Sequence, residues 1–419
     1  MRQRSNIIQN LDWITILLYG LLVLVGWISV YAAVYNEEHT SILDLDMNYG
    51  KQLIWIITSV VLAIVILVID AKFYSTFSLL IYFLVMAMLL GVLVFGKEIA
   101  GSKSWFQIGS FSLQPSEFAK VATALAIAKY LSSIDTDLSK LRTRFTAAAI
   151  MLFPSALILL QPDTGSALVF FSFFLVLFRE GMSGNLLFVG VVVAVLFILA
   201  LLFNKFIIIG VLAVNAGLIL YLYPALRKKW FLVAGIFLLT SAYVYSVDYA
   251  FENVLEAHQK KRINVLLGIE KDIHGAGYNV HQSKIAIGSG GFAGKGFLKG
   301  TQTKFDFVPE QSTDFIFCTI GEEWGFLGSL VVIALFVGLL SRLVIMAERQ
   351  RSKFSRIYGY GVASVLFFHF TVNIGMTIGL FPVIGIPLPF ISYGGSSLWG
   401  FTILLFVFLK LDSVRLDLL

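Results

Sequence analysis

Twelve apolar runs follow one another along this chain, and no other property limits its possible folds as strongly. Each approaches the ~20 residues that a helix needs to cross the hydrocarbon core of a bilayer. The runs cover residues 12–34, 52–69, 74–95, 115–132, 145–161, 164–178, 185–203, 206–223, 230–247, 314–341, 357–380 and 396–411. The pattern predicts an all-α polytopic integral membrane protein, with about 12 transmembrane helices in a single membrane domain spanning residues 1–419.

Composition excludes a soluble fold and several classes of site. Of the 419 residues, 58% are hydrophobic and 13% are charged, whereas soluble domains carry roughly 25% charged residues. The net charge of +6 does not indicate a nucleic-acid partner, because cytoplasmic loops of membrane proteins carry excess Lys and Arg. Cys318 is the single cysteine, so an internal disulfide and a cysteine metal site are excluded. Arg2 and Arg4 precede an apolar run that is too long for a cleavable signal peptide, and we expect none.

The positions of Lys and Arg predict the orientation of the spans. If the N-terminus is cytoplasmic, most Lys and Arg residues fall in cytoplasmic loops, when the long polar segment 248–311 is left out of the count. The short loops on the opposite side contain only Lys51, Lys97, Lys103 and Lys205. This asymmetry follows the positive-inside rule, so we expect both termini in the cytoplasm and an even number of spans.

Residues 248–311 form a long, polar, glycine-rich segment that this topology places outside the membrane. Long connections without regular structure are uncommon unless they have a function. We interpret the segment as a functional extracytoplasmic loop. The alternative is a passive connector.

Glu117 and Lys120 stand at the start of the fourth span. Ionisable groups in or beside a span are costly and are therefore functional candidates. Because they are three residues apart, the two side chains share one helix face and can pair. Pro115 and Ser116 favour a helix start, where the Ser116 hydroxyl can act as a cap. The pair is either a structural ion pair or part of a polar cavity that positions an anionic substrate.

Asp163 follows Gln161 and Pro162 in a tight outer turn between the fifth and sixth spans. An aspartate immediately before a helix is a favoured N-cap. We therefore favour a capping role for Asp163 over direct catalysis.

Glycines are concentrated in the second half of the outer loop, between residues 288 and 296. Glycine-rich backbone can approach an anion closely, and Lys284, Lys295 and Lys299 would suit a diphosphate. A Walker nucleotide loop is excluded, because that motif would need glycine at Ser289 and serine or threonine at Gly296.

Asp272 is a lone carboxylate beside a glycine turn of the same loop. Aspartates in such places often cap turns, so local chemistry leaves both a turn role and a catalytic role open. The five histidines show no ligand spacing, and the carboxylates are scattered. The sequence therefore indicates no metal site built from protein side chains alone.

Together these motifs resemble the SEDS family, the proteins of shape, elongation, division and sporulation, and within it the RodA branch. The matching segments are 101–120, the turn at 161–163, nearly all of 258–328 and the stretch 373–397. The last contains Gly-Ile-Pro-Leu-Pro at 385–389, which is typical of RodA rather than of the division paralogue FtsW. The resemblance covers most of the chain.

The resemblance implies a bundle of ten spans, with the large outer loop between the seventh and eighth. This chain departs from that pattern, because nine apolar runs precede the loop. We therefore predict two additional spans within residues 185–247, which preserve the parity of the topology.

The resemblance also implies an activity, the polymerisation of lipid II on the outer face of the bacterial cytoplasmic membrane for cell wall synthesis and cell shape. The reaction inverts the anomeric carbon and releases undecaprenyl pyrophosphate. The essential aspartate of the family lies in an Asp-Pro-x-Gly-x-Gly-Tyr stretch, which Asp272 matches although Ile273 replaces the proline. Residues 248–311 would then be the catalytic loop and Asp272 the general base. Glu117 and Lys120 are further catalytic candidates.

Candidates for substrate binding come from the same segments. The family often carries arginine just before the position of Trp105, where this chain has Ser104, and Lys103 is the candidate substitute. The remaining candidates are Trp105, Gln114, Ser116, Asp163, Gln282, Ser283, Lys284, Lys295, Glu310, Asp314, Ser392 and Tyr393. By resemblance alone we expect Mg²⁺ or Mn²⁺, no organic cofactor, and a class B penicillin-binding protein as the partner transpeptidase.

Two other functions fit parts of the sequence. A transporter that flips lipid II would also have many spans with ionisable groups inside them. Against it, the polar motifs lie toward the outer face rather than at the midplane between two symmetric halves. A non-enzymatic scaffold for other wall-synthesis proteins would have no need of Asp272.

Overall fold

The computed structural model describes residues 7–35, 41–99, 101–109, 111–134, 136–253, 260, 277–304, 307–381 and 383–416. The chain divides into two compact units. The larger unit comprises residues 1–181 and 278–419, and the smaller unit comprises residues 182–277.

Helices account for most of the described chain. In chain order they are α1 (Trp13–Ala33), α2 (Asn48–Val68), α3 (Ala71–Phe95), α4 (Pro115–Leu131), α5 (Leu141–Leu159), α6 (Thr164–Val169), α7 (Phe173–Arg179), α8 (Gly184–Leu202), α9 (Lys205–Leu222), α10 (Trp230–Asn253), α11 (Tyr278–Ser289), α12 (Thr301–Lys304), α13 (Ile316–Glu348), α14 (Lys353–Thr377) and α15 (Gly395–Ser413). One-turn helices lie at Ile7–Asn10 and Pro224–Arg227, and a 3-10 turn at Phe170–Ser172 joins α6 to α7.

Every predicted apolar run coincides with one of these helices, the run at 164–178 with α6 and α7 together. Among the described residues, nine helices are long and apolar enough to cross a membrane, and Thr164–Arg179 is a shorter apolar helix. The predicted all-α polytopic membrane fold is confirmed. The exact number of crossings stays a prediction.

A small antiparallel sheet lies between α3 and α4 and was not predicted from the sequence. Its strands are β1 (Lys97–Ile99), β2 (Ser102–Ile108) and β3 (Phe111–Leu113), in that order across the sheet. Lys97 pairs with Trp105, and Phe106 pairs with Leu113. The sheet carries the chain directly to the first turn of α4, where candidate site residues begin.

A cluster of ion pairs marks one end of the helices in the larger unit. At the predicted cytoplasmic end, Arg342 Nη2 lies 2.6 Å from Asp12 Oδ2, and Arg349 bridges Asp12 and Asp412. Burial raises the pKa of Asp12, but hydrogen bonds from Arg342 and Thr15 outweigh it and lower the pKa to about 2. These ion pairs connect the start of α1 to the ends of α13 and α15. The predicted topology places all three of these helix ends on the cytoplasmic side.

The smaller unit consists of α8, α9 and α10, which pack on one another. Its buried apolar cluster contains Leu196, Ala200, Ile208, Val244 and Val247. Lys205 Nζ, at the start of α9, lies 2.7 Å from Asp248 Oδ2 in α10 and 5.0 Å from the centre of the Tyr245 ring. This unit contains the segment 185–247, in which the two additional spans were predicted.

Candidate functional site

Several predicted site residues of the larger unit gather where helices begin, at the end that the topology places outside. Gln114 occupies the N-cap position of α4, and the Asp163 side chain caps α6. Asp314 lies two residues before α13, and Ser392 and Tyr393 lie just before α15. The N-terminus of a helix carries a partial positive charge. Four helix N-termini therefore contribute to one polar region, which we call the outer cleft and define by these five residues.

Gln114 and Asp163 join two of these helix starts. Gln114 Nε2 donates to Asp163 Oδ2 at 3.0 Å, and the backbone N–H of Ser166 donates to Asp163 Oδ1 at 3.0 Å. The capping role predicted for Asp163 is therefore confirmed, and its second oxygen is held by Gln114. The backbone N–H of Gln114 donates to Ser396 Oγ at 3.1 Å, which adds the start of α15 to the same network.

Asp314 is the carboxylate most affected by its surroundings. Burial, together with the like charges of Glu310 and Asp163, raises its pKa to about 7. A Cβ at Gly385 would lie 3.4 Å from Asp314 Oδ2, and a Cβ at Gly165 would lie 2.1 Å from the Ile384 carbonyl oxygen. The first turn of α6 is thus pressed against residues 384–385, with Asp314 next to them.

Ser392 and Asn373 hold the loop 384–392 beside Asp314. Ser392 Oγ donates to the Thr313 carbonyl at 2.6 Å and accepts from the Leu388 N–H at 2.9 Å. Asn373 Nδ2 in α14 contacts the carbonyls of Asp314 and Ile386 at 2.8 and 2.7 Å. The hydroxyl of Ser392 is therefore used for structure. The backbone N–H of Tyr393 has a similar role, because it donates to the Ser312 carbonyl at 2.9 Å.

Glu117 and Lys120 form the predicted ion pair, with Lys120 Nζ 2.7 Å from Glu117 Oε2. Both residues are only 2% exposed. Lys120 Nζ also lies 3.1 Å from His369 Nε2 and 4.5 Å from the centre of the Phe401 ring. In this arrangement the ammonium is enclosed by protein groups from α4, α14 and α15.

The prediction that the Ser116 hydroxyl caps a helix is wrong. Gln114 occupies the N-cap position, so Ser116 is already inside the first turn of α4. Its side chain is buried, and its Oγ has no hydrogen-bond partner among the described residues. The cause is a shift of the helix start, because Pro115 takes the first helical position, where its missing N–H costs nothing.

The glycine-rich run packs against α13. A Cβ at Gly290 would lie 2.0 Å from the Gly321 carbonyl oxygen, and a Cβ at Gly294 would lie 2.1 Å from that of Glu323. The backbone N–H groups of Lys295 and Gly296 donate to carbonyls of α13 at 3.0 and 2.9 Å. These donors are therefore not free to bind a phosphate, and close packing explains the glycines.

Glu322 fixes this segment from inside α13 and is fully buried. Its carboxylate accepts the backbone N–H groups of Thr301, Gln302 and Thr303 at 2.8–3.0 Å. Lys295 Nζ lies 2.6 Å from Glu322 Oε1. Lys295, which was predicted to bind a diphosphate, is thus engaged in a structural ion pair in this conformation.

We expect Glu322→Gln to lower the free energy of unfolding by about 2–4 kcal/mol, because one acceptor oxygen becomes an N–H₂ group that faces backbone donors. Glu348→Gln is the matched control on the same helix. Its carboxylate is half exposed and pairs with Arg179 at the surface, so about 0–1 kcal/mol is expected. Unfolding of the purified proteins in detergent measures both. Equal losses in the two variants would show that Glu322 does not organise the segment.

Other predicted residues lie in structural roles or on the surface. Ser283 Oγ, on α11, is buried and donates to the Thr377 carbonyl at 2.9 Å. Lys284 is exposed, and its side chain lies against Gly379. Gln282, on the same helix, is partly buried. Lys103 Nζ, in β2, lies 3.4 Å from the Val94 carbonyl. Glu310 is exposed and accepts a hydrogen bond from Thr313 Oγ1 at 2.9 Å.

The residue predicted to be the general base lies outside the described residues. Asp272 and its neighbours in 261–276 belong to the part of the outer loop for which no placement is described. Its role stays a prediction from the motif.

His369 is the functional candidate that was missed. It is an ionisable residue inside the predicted span 357–380, and that position alone was a signal. Its hydrogen bond to Lys120 brings it next to the Glu117 ion pair.

The outer cleft has features that suit a divalent cation. Among the residues that the structure describes, no group of three or more His, Cys, Asp or Glu side chains could hold a metal ion. Mg²⁺, however, is commonly held by one or two carboxylates together with water and substrate phosphate oxygens. Asp163 caps α6, whose first turn packs against residues 384–385 beside Asp314, and the charge of Asp163 contributes to the raised pKa of Asp314. Two such carboxylates fit a cation that is shared with a diphosphate.

Comparison with known proteins assigns the family. A profile of the cell cycle proteins FtsW, RodA and SpoVE matches residues 12–210 and 207–415. Peptidoglycan glycosyltransferase RodA of Treponema pallidum is 34% identical over 94% of this chain and 95% of its own length. Peptidoglycan glycosyltransferase MrdB of Escherichia coli K12 is 34% identical over 90% of this chain and 88% of its own length.

Solved structures share the fold. A chain from a peptidoglycan synthase complex, described for its coordination of polymerization and crosslinking, is similar with a TM-score of 0.71 and 25% identity. The comparison covers 97% of this chain and 99% of that one. The rod shape determining protein RodA of Thermus thermophilus is similar with a TM-score of 0.63 and 24% identity, over 97% of each chain. The chain therefore belongs to the family of FtsW, RodA and SpoVE, the SEDS family that its motifs resemble.

Proposed function

We propose that this chain is a peptidoglycan glycosyltransferase of the elongation system, which joins the disaccharide units of lipid II into glycan strands. The observation that carries the proposal is the outer cleft, in which Gln114, Asp163 and Asp314 meet at converging helix starts. Helix N-termini bind anions such as phosphate through their free N–H groups and their dipole. Two relatives named peptidoglycan glycosyltransferase, each 34% identical to this chain, support the same activity.

The proposed reaction forms one glycosidic bond and breaks one bond between sugar and phosphate. Asp272 accepts the proton of the 4-hydroxyl of the incoming sugar, and the oxygen attacks the anomeric carbon of the second substrate. Undecaprenyl pyrophosphate departs from the opposite side, which inverts that carbon. Its diphosphate gains negative charge, which the dipoles of the helix N-termini at the outer cleft stabilise.

Asp163 and Asp314 are the residues that would hold Mg²⁺ or Mn²⁺. The bound cation would supply charge neutralisation for the diphosphate. The chain's own contribution is to keep the two carboxylates in place, through Gln114 on Asp163 and through the packed loop 384–392 beside Asp314.

Magnesium is expected to stabilise the wild-type protein more than an Asp314→Asn variant. A ligand that binds only the folded state raises the melting temperature according to its affinity, and the substitution removes one of two proposed ligands. Thermal unfolding in detergent, with and without millimolar Mg²⁺, measures the difference. Asp137→Asn, an exposed carboxylate at the opposite end of the helices, is the matched control and should respond like wild type. An unchanged response in Asp314→Asn would remove Asp314 from the proposed cation site.

We place the protein in the bacterial cytoplasmic membrane, with both termini inside and the outer cleft facing away from the cytoplasm. The distribution of Lys and Arg supports this orientation. A class B penicillin-binding protein is the proposed partner, and membrane lipid surrounds the apolar helix faces. The similarity to a chain of a peptidoglycan synthase complex supports a partner of this kind.

The test uses the full chain, purified with the proposed partner and supplied with fluorescent lipid II and Mg²⁺. Polymerisation is followed by gel electrophoresis of the glycan. In parallel, sealed vesicles that contain the protein report movement of lipid II between leaflets. The proposal predicts a ladder of glycan products. Movement of lipid II without any polymer would overturn it in favour of a flippase.

A further inference from the structure

We propose that His369 is a positioning residue, which holds the Lys120 ammonium and links it to the loop 384–392 of the outer cleft. This inference rests on the proposed function, because the effect of that link is read in polymerisation. His369 belongs to α14, is 1% exposed, and lies in no motif that carried the family resemblance.

The two ring nitrogens of His369 have different partners. Nδ1 lies 3.1 Å from the Pro387 carbonyl oxygen, and Nε2 lies 3.1 Å from Lys120 Nζ. A carbonyl oxygen can only accept, so the proton is assigned to Nδ1. In a neutral imidazole Nε2 is then an acceptor, which suits the N–H groups of an ammonium. The ring therefore connects a donor on α4 to an acceptor in the loop.

Lys120 is surrounded on three sides by groups that favour a fixed ammonium. Glu117 Oε2 and His369 Nε2 accept hydrogen bonds, and the face of the Phe401 ring lies 4.5 Å away. A ring face attracts a cation. Phe401 also packs edge to face against His369, with ring centres 4.8 Å apart. Removing His369 leaves one ammonium N–H without an acceptor in a buried site and frees the side chain to turn.

The other end of the link reaches the loop beside Asp314. Pro387 belongs to the loop 384–392, in which Gly385 adjoins Asp314 and the Ile386 carbonyl accepts from Asn373. Lys120 itself lies on α4, whose N-cap residue Gln114 belongs to the outer cleft. His369 thus fixes the position of a positive charge on α4 relative to the loop beside Asp314. Because the hydrogen-bond partners of His369 are Lys120 and Pro387, and not the five residues that define the outer cleft, its loss should slow the chemical step more than it weakens substrate binding.

Three substitutions of His369, by glutamine, asparagine and leucine, distinguish a positioning role from a packing role. The amide oxygen of glutamine reaches the place of Nε2 and can accept from Lys120. The amide nitrogen of asparagine reaches the place of Nδ1 and can donate to Pro387, but leaves Lys120 without its acceptor. Leucine fills the site and makes neither hydrogen bond.

The experiment measures kcat and KM for lipid II polymerisation by the full chain with its partner, after gel filtration has shown which variants are folded. We expect His369→Gln to keep kcat within about threefold of wild type, and His369→Asn and His369→Leu to lose about tenfold or more, with KM changed little. Equal kcat in the folded glutamine and asparagine variants would overturn the proposal. So would a loss that appears only in KM.

A second measurement does not need activity, so failure of the proposed function would not hide the answer. The melting temperatures of wild type, Lys120→Met, His369→Leu and the double variant form a double-mutant cycle. We expect Lys120→Met to lower the melting temperature clearly less in the His369→Leu protein than in wild type. Additive shifts would mean that the two side chains are not coupled, and the inference would fail. If His369→Leu does not fold, the same cycle with His369→Asn decides.

Discussion

Asp272→Ala is expected to reduce polymerisation of lipid II by at least about 10²-fold in a protein that remains folded and partner-bound. The reason is chemical, because a positioned general base commonly contributes about 10²–10⁴-fold to such a reaction. Glycan product formed from fluorescent lipid II measures the effect. Asp272→Asn should behave in the same way, since it keeps the size of the side chain and loses the basic oxygen.

The control for this prediction is Asp46→Ala. Asp46 is an exposed carboxylate in another loop that the topology places outside. It should retain activity close to wild type, because it belongs to no part of the outer cleft. Equal product from wild type and Asp272→Ala would make Asp272 a turn residue and place the base elsewhere.

Lys120→Met is expected to give the largest loss of stability, about 3–5 kcal/mol in the free energy of unfolding. The substitution leaves the Glu117 carboxylate buried without its partner, and an uncompensated buried charge is strongly destabilising. Denaturant or thermal unfolding in detergent measures the change. Polymerisation should also be lost, because the positive charge near Asp163 is removed.

Two variants test the cause of this loss. Lys129→Met changes the same residue type on the same helix at an exposed position, and a change within about 0.5 kcal/mol is expected. The double variant Glu117→Gln with Lys120→Met removes both charges and should recover much of the stability, but not the activity. If Lys120→Met is as stable as Lys129→Met, the buried ion pair is not a structural element.

The apolar runs, the cap at Asp163 and the ion pair of Glu117 with Lys120 were predictable from the sequence, because they depend on local chemistry. A run of about 20 apolar residues has few alternatives to a helix in a membrane. The capping role of Asp163 and the pairing of Glu117 with Lys120 were predicted from neighbouring residues alone. Both predictions are confirmed.

The roles of the glycine run and of Glu322 could not be predicted in the same way. Glu322 binds Lys295 and the first turn of α12, which lie about 20 to 27 residues away in a segment with no strong periodic pattern. Glycine composition suggested an anion site, whereas the structure uses the missing side chains for contact with α13. Only the fold brings these partners together.

The sheet at residues 97–113 and His369 illustrate two further limits. The strands β1 and β3 are three residues each, which is too short for an alternating pattern to stand out from a loop. His369 was visible as an ionisable residue within a span, but its partners Lys120 and Pro387 come from different elements. The sequence shows that an ionisable side chain lies within a span, where its burial is energetically unfavourable. It does not show which contacts compensate for that burial.

One measurement decides between covalent chemistry and transport. Lipid II is supplied to the purified protein and its partner, and the undecaprenyl pyrophosphate released is quantified together with the new glycosidic bonds. A polymerase must produce the two in equal molar amounts, and Asp272→Ala must produce both at least about 10²-fold more slowly. Lipid II that remains chemically intact in the presence of folded wild-type protein, partner and Mg²⁺ would contradict the proposed function.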